Sequence, residues 1–138
     1  MGLASTHGDG GNIKIPQEQY EEITKGKGDL VDWLKEPKTK GALLLQEEAD
    51  PAIVAEVTQN GYGVLDENGL EKVGRDPFLI SYAHAKTNRT IVTLEVSAPS
   101  KQGANRKIPD VCSDLAVACC DLFQLIEALD FTTNWKPK

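Results

Sequence analysis

The chain has 138 residues, of which 40% are hydrophobic and 6% aromatic, with a formal charge of −6. This length suits one domain with a proper core, and the hydrophobic share excludes a disordered acidic segment. The charge excludes a surface that is basic overall, although a local basic patch can still meet a phosphate and a bound divalent ion offsets carboxylates. No apolar run approaches the ~20 residues needed to span a bilayer, and the N-terminus lacks a basic-then-apolar signal. A cytoplasmic protein with no membrane partner is expected. The three cysteines, Cys112, Cys119 and Cys120, are odd in number, and there are only two histidines. Their spacing does not match a zinc site, so they read as reduced packing residues.

In chain order, residues 1–11 are polar and glycine-rich and read as a flexible leader; neither His7 nor Asp9 there sits in a recognisable motif. Residues 12–15 are a short strand candidate stopped by Pro16. A helix over 17–25 follows, with Tyr20 and Ile23 toward the core and Glu21 and Glu22 beside them, ended by Gly26 and Gly28. A second helix starts at Asp29, places Leu30, Trp33 and Leu34 on one face, and closes at Pro37. The run Leu43-Leu44-Leu45 suits a strand or a helical turn equally well. Asp50-Pro51 starts a helix that Asn60-Gly61 stops, and residues 61–74 read as an irregular connection with one helical turn at 70–73.

Residues 76–96 read as a helix running into a strand. Asp76 can cap the helix, Pro77 suits its first position, and Phe78, Tyr82 and Ala85 share a face. Asn88 and Arg89 mark a turn, and the β-branched residues of 90–96 predict a strand. A polar loop over 98–107 carries Lys101, Arg106 and Lys107 and no acid. Ile108-Pro109-Asp110 opens a helical turn around Cys112, and 115–119 suits an edge strand. Asp121 and Gln124 form a capping box for a last helix, whose buried side is Leu122, Leu125, Ile126 and Leu129 with Phe131 behind it. Residues 132–138 read as a flexible tail. This alternation predicts a three-layer α/β domain over 12–131 with a mainly parallel sheet.

Ligands in an open α/β sheet bind at the C-terminal ends of strands, which draws Asp76 and Glu95 toward one place. With Glu22, or Glu21 in the alternative register, they form a hard oxygen set suited to Mg²⁺ or Mn²⁺. Two of these acids also have a local explanation, Asp76 as a cap and Glu22 as a solvated helix face. Thr93 stands two residues before Glu95 on the same side of the strand, where its hydroxyl can orient a carboxylate or water. The basic loop is a candidate phosphate contact.

Four stretches then carry a resemblance: I-P-x-x-x-Y-E-E-I, D-P-F-L-I-x-x-A, I-V-T-L-E and K-I-P-D-V-C. In this order they resemble the PIN-like family formerly known as domain of unknown function 4411, within the PIN-domain nuclease superfamily, which includes toxin ribonucleases. The resemblance implies a small Rossmann-like fold, acids around Mg²⁺ or Mn²⁺, and metal-dependent hydrolysis of RNA. Carried over motif by motif, the acids are Glu22, Asp76 and Glu95, with Thr93 as the threonine before the last acid. It implies RNA as substrate and an antitoxin protein as partner. PIN domains begin with a central strand bearing a metal-binding aspartate, which this sequence does not show. The chain is therefore expected to be incomplete at its N-terminus, truncated or split, or to take that strand from another chain as a homodimer. The alternative reading is a catalytically inactive PIN-like interaction module.

Overall fold

The computed structural model describes the backbone of residues 2–5 and 13–133 and the side chains of residues 13–127. His7, Asp9, residues 134–138 and the side chains of Leu129 and Phe131 lie outside the described residues. The chain is an α/β protein. Its sheet has four strands in the order β2-β1-β3-β4, with β1 at Gly2–Ser5, β2 at Ile13–Lys14, β3 at Arg89–Val92 and β4 at Ala118–Cys120. No helix among the described residues is long and apolar enough to cross a membrane.

The expectation of a mainly parallel sheet is corrected. Only β3 and β4 run parallel, Thr90 opposite Ala118 and Val92 opposite Cys120. β1 lies antiparallel to both neighbours, with Leu3 opposite Lys14 on one side and Ile91 on the other. It belongs to the range expected as a leader, and its polar, glycine-rich composition hides it. The physical reason for its placement is hydrogen-bond accounting. Without β1, the facing edges of β2 and β3 would leave a row of backbone groups without ladder partners. Beyond β2, Ile15 forms a parallel bridge to Leu44 and exchanges hydrogen bonds with Leu43 and Leu45. The ambiguous leucine run thus serves both ways: it closes a helix and then pairs with the sheet.

Around this sheet lie α1 (Gln17–Thr24), α2 (Asp29–Lys35), α3 (Pro37–Leu43), α4 (Pro51–Val57), α5 (Glu67–Val73), α6 (Asp76–His84), α7 (Ile108–Leu115) and α8 (Leu122–Thr133). The core is built on α6, which buries Pro77 and every residue from Leu79 to Ala83. Such a helix, apolar almost all round, belongs in an interior. Leu79, Ile80, Ile91, Ile108, Val57 and Val111 are fully buried and join α6, β3, α7 and α4 into one cluster.

Three local expectations are revised. α2 buries Val31 and Leu34, while Leu30 and Trp33 are exposed, because the Tyr20 hydroxyl docks onto the Leu34 carbonyl at 2.7 Å and sets which face turns inward. β3 ends at Val92 rather than 96, since its partner β4 ends at Cys120. Leu122 and Ile126 of α8, expected on a buried side, are exposed.

Candidate functional site

Asp76 opens α6 but does not cap it. Arg75 holds the cap position, Pro77 takes the second helical place, and no side chain makes a capping bond there. The Asp76 carboxylate makes no hydrogen bond or ion pair among the described residues. Arg75 instead ties α1 to the start of α6. Its guanidinium donates to the Glu18 carbonyl at 2.7 Å and pairs with Glu21 at 3.0 Å, and its carbonyl accepts from the Gln19 amide at 2.7 Å. This clamp separates the two registers considered for the α1 acid. Glu21 is taken by Arg75, and Glu22 is the one whose charge reaches Asp76.

Glu95 follows β3 on an irregular segment fastened at several points. Its backbone N–H donates to the Thr93 hydroxyl at 3.1 Å, and the Thr93 N–H donates to the Cys120 carbonyl at 3.1 Å, one residue past the β3–β4 ladder. The Glu95 Oε1 accepts from the Ile108 N–H at 2.8 Å, satisfying one of the free amides at the start of α7. Asp110, in the first turn of α7, accepts from the Ser97 hydroxyl and, at 2.8 Å, from the Ala98 N–H. These bonds hold the Asp110 carboxyl below the usual carboxylate range. Thr93 is buried and acts on Glu95 through the backbone.

Asp76 and Glu95 line one polar cavity of about 300 Å³, together with Tyr62, Lys72, Lys101, Asn105, Arg106 and Lys107. Burial pushes the Asp76 carboxyl up to about 6, with the charges of Glu95 and Glu22 adding to the effect and Lys107 opposing it. The sequence-derived acids therefore divide. Asp76 and Glu95 share the cavity; Glu22 is exposed on α1 and contributes charge from outside its walls; Thr93 is not among the lining residues.

The basic loop also divides. Lys101 and Lys107 line the cavity with no hydrogen bond or ion pair to their side chains among the described residues. Arg106 is occupied: it donates to the Gly61 carbonyl at 2.6 Å and the Asp110 carbonyl at 3.2 Å, and pairs with Asp114 at 2.8 Å. It fixes the loop rather than offering a free cation.

Tyr62 is the residue that sequence reasoning missed. It ends a π-helical turn, Thr58–Tyr62, where the Asn60-Gly61 pair predicts only a stop. The available signal was an aromatic directly after a helix-ending glycine, which carries no functional meaning until its neighbours are known.

Among the described residues no three His, Cys, Asp or Glu side chains gather closely enough to hold a metal ion. A pair of carboxylates on a polar cavity nonetheless fits Mg²⁺, which commonly takes one or two carboxylates and keeps waters or phosphate oxygens for its other positions. The Asp76 carboxyl is raised chiefly by burial, with the charges of Glu95 and Glu22 adding to it.

The chain is thus an α/β domain in which two carboxylates and the lysines of one loop line a single cavity. The chain belongs to the family described as a domain of unknown function, DUF4411, whose model matches residues 4–133. No curated protein and no solved structure matches it.

Proposed function

We propose that this chain is a PIN-like, divalent-metal-dependent ribonuclease. The observation that carries this reading is the convergence on a single cavity of Asp76 from the start of α6, Glu95 from the segment after β3, and Lys101 and Lys107 from the loop that follows. Asp76 and Glu95 would hold Mg²⁺ or Mn²⁺, with Glu22 strengthening the negative field from α1. When bound, such an ion activates water and neutralises charge on a phosphodiester undergoing in-line displacement.

The residues of the chain supply the rest. Lys101 and Lys107 line the same cavity and would hold the non-bridging phosphate oxygens as charge-assisted donors. The Glu95 carboxylate is kept in place by the Ile108 N–H and by the Thr93 hydroxyl beneath its backbone. Deprotonated Asp76 is the form able to bind an ion, so activity falls as pH drops below about 6. The toxin assignment and the antitoxin partner rest on the resemblance alone.

The test is cleavage of a mixed RNA pool with Mn²⁺, comparing the wild type with Asp76→Asn and Glu95→Gln. Loss of cleavage by at least ~10²-fold in both supports the reading, and unchanged rates in either remove that residue from the site.

One observation favours the second reading, an inactive interaction module. The exposed Leu94 and Leu122 line an apolar groove with Ile13, Ile15, Val92 and Leu125. Solvent-exposed apolar residues gathered at one place mark a contact surface in many proteins. It predicts intact folding with no cleavage of RNA under any divalent metal.

A further inference from the structure

Two buried side-chain polar atoms among the described residues lack a hydrogen-bond partner, the Gln19 Oε1 and the Tyr62 hydroxyl. Gln19 is already anchored through its amide nitrogen to the Arg75 carbonyl. Tyr62 has no such second contact. Its side chain lines the Asp76–Glu95 cavity while the residue is only 4% exposed. A buried hydroxyl without a partner is costly, and native structures seldom keep one without a use.

The chain spends several features on placing this tyrosine. The helix carrying it changes from α (Pro51–Val57) to a π turn (Thr58–Tyr62), a local distortion found often at functional sites. Gly61 presses against α7 so closely that a Cβ there would lie 2.5 Å from the Val111 Cγ1. The occupied Arg106 donates to the carbonyl of that same glycine. Two packed contacts thus fix the residue adjacent to Tyr62 in the chain.

The carboxylates nearby complete the picture. A tyrosine hydroxyl is protonated throughout the physiological range in any case, and burial first, then the charges of Asp76 and Glu95, push it further in that direction. It is therefore a donor. One Glu95 oxygen already accepts from Ile108, whereas the Asp76 carboxylate accepts from nothing among the described residues. The Tyr62 hydroxyl and the Asp76 carboxylate thus line one cavity, neither with a hydrogen-bond partner among the described residues.

We propose that Tyr62 is a positioning residue for Asp76: its hydroxyl donates to the Asp76 carboxylate once a divalent cation draws that carboxylate into its bound orientation. This deepens the proposed function and rests on it. A donor behind a ligating carboxylate restricts its rotation and offsets its repulsion from Glu95, so the cation meets a prepared oxygen.

The test is Mn²⁺ titration by calorimetry of the full chain and of Tyr62→Phe, with the thermal midpoint of each measured without metal. Tyr62→Phe keeps the ring and removes only the orphaned hydroxyl, so its metal-free midpoint should equal or exceed that of the wild type. Its Mn²⁺ affinity should fall ~10-fold, the scale seen when groups behind metal ligands are lost. Equal affinity in the two proteins overturns the Tyr62 proposal and leaves the Asp76–Glu95 reading standing. Absence of Mn²⁺ binding by the wild type overturns both. A lowered midpoint with unchanged affinity shows a purely structural tyrosine and overturns the proposal as well.

Discussion

Asp76 pays for its position in a way that can be measured. Its carboxyl is raised from 3.8 to about 6, first by burial and then by Glu95 and Glu22. Between those values the folded state binds more protons than the unfolded chain, so stability falls as pH rises through that window and stays low above it. After discounting for partial exposure, the effect is on the order of 1–2 kcal/mol. Asp76→Asn should therefore raise stability at pH 8 by about this amount and flatten the slope between pH 4 and 6, as urea denaturation across pH will show; an unchanged slope places the shifted proton elsewhere. A residue that destabilises the fold while making no hydrogen bond is the expected mark of a functional acid. In the sequence, Asp76 and Glu95 were legible as candidates because one opens a helix and the other follows a strand. Tyr62 was not, because its importance lies in a missing hydrogen bond, a property of three-dimensional neighbours that no spacing encodes. Arg106 shows the converse. Its basic loop invites a phosphate reading, yet carbonyls of Gly61 and Asp110 and the Asp114 carboxylate occupy it.

Helix ends were the most legible elements, since capping is chemistry between residues close in sequence. The Asp121–Gln124 box forms reciprocally, with Asp121 accepting from the Gln124 N–H at 2.8 Å and Gln124 accepting from the Asp121 N–H at 2.9 Å. Asp50 accepts from the Ala52 N–H at 2.9 Å at the helix start read from Asp50-Pro51. Residues 61–74, read as mostly irregular, hold a full helix because Asp66 caps Gly69 at 2.8 Å and Gly74 ends it with positive φ. Asp66→Ala should cost ~1 kcal/mol in chemical denaturation, and no loss would mean that packing alone sustains α5. The π turn was not legible, since Asn60-Gly61 is a strong local stop and only contact with α7 explains why the chain winds on. Gly61→Ala should destabilise by ~1–3 kcal/mol, because the added methyl overlaps Val111 in a filled core. A neutral result would show that α7 and the turn can separate at little cost.

For the molecule as a whole, the α/β class followed from alternating short elements, but the order and direction of strands did not. β1 pairs with the nearby residues 13–14 on one side but with the distant 89–92 on the other, and its own sequence carries no strand signature. Such non-local pairing is set by what the neighbours leave unsatisfied, which propensity cannot express. Charge behaves likewise: a chain of net −6 brings Lys101 and Lys107 to the cavity that the half-buried Asp76 lines. If those two lysines meet the phosphates of single-stranded RNA, the logarithm of affinity should fall against the logarithm of salt with a slope of about −1.4. A flat dependence would take both lysines off the phosphates. The central claim, that Asp76 and Glu95 form one cation site, is tested most directly by calorimetric titration of Mn²⁺ into the wild type, Asp76→Ala and Glu95→Ala at pH 7.5. The account predicts saturable binding by the wild type that either substitution abolishes; no binding at millimolar Mn²⁺, or binding that survives both substitutions, contradicts it.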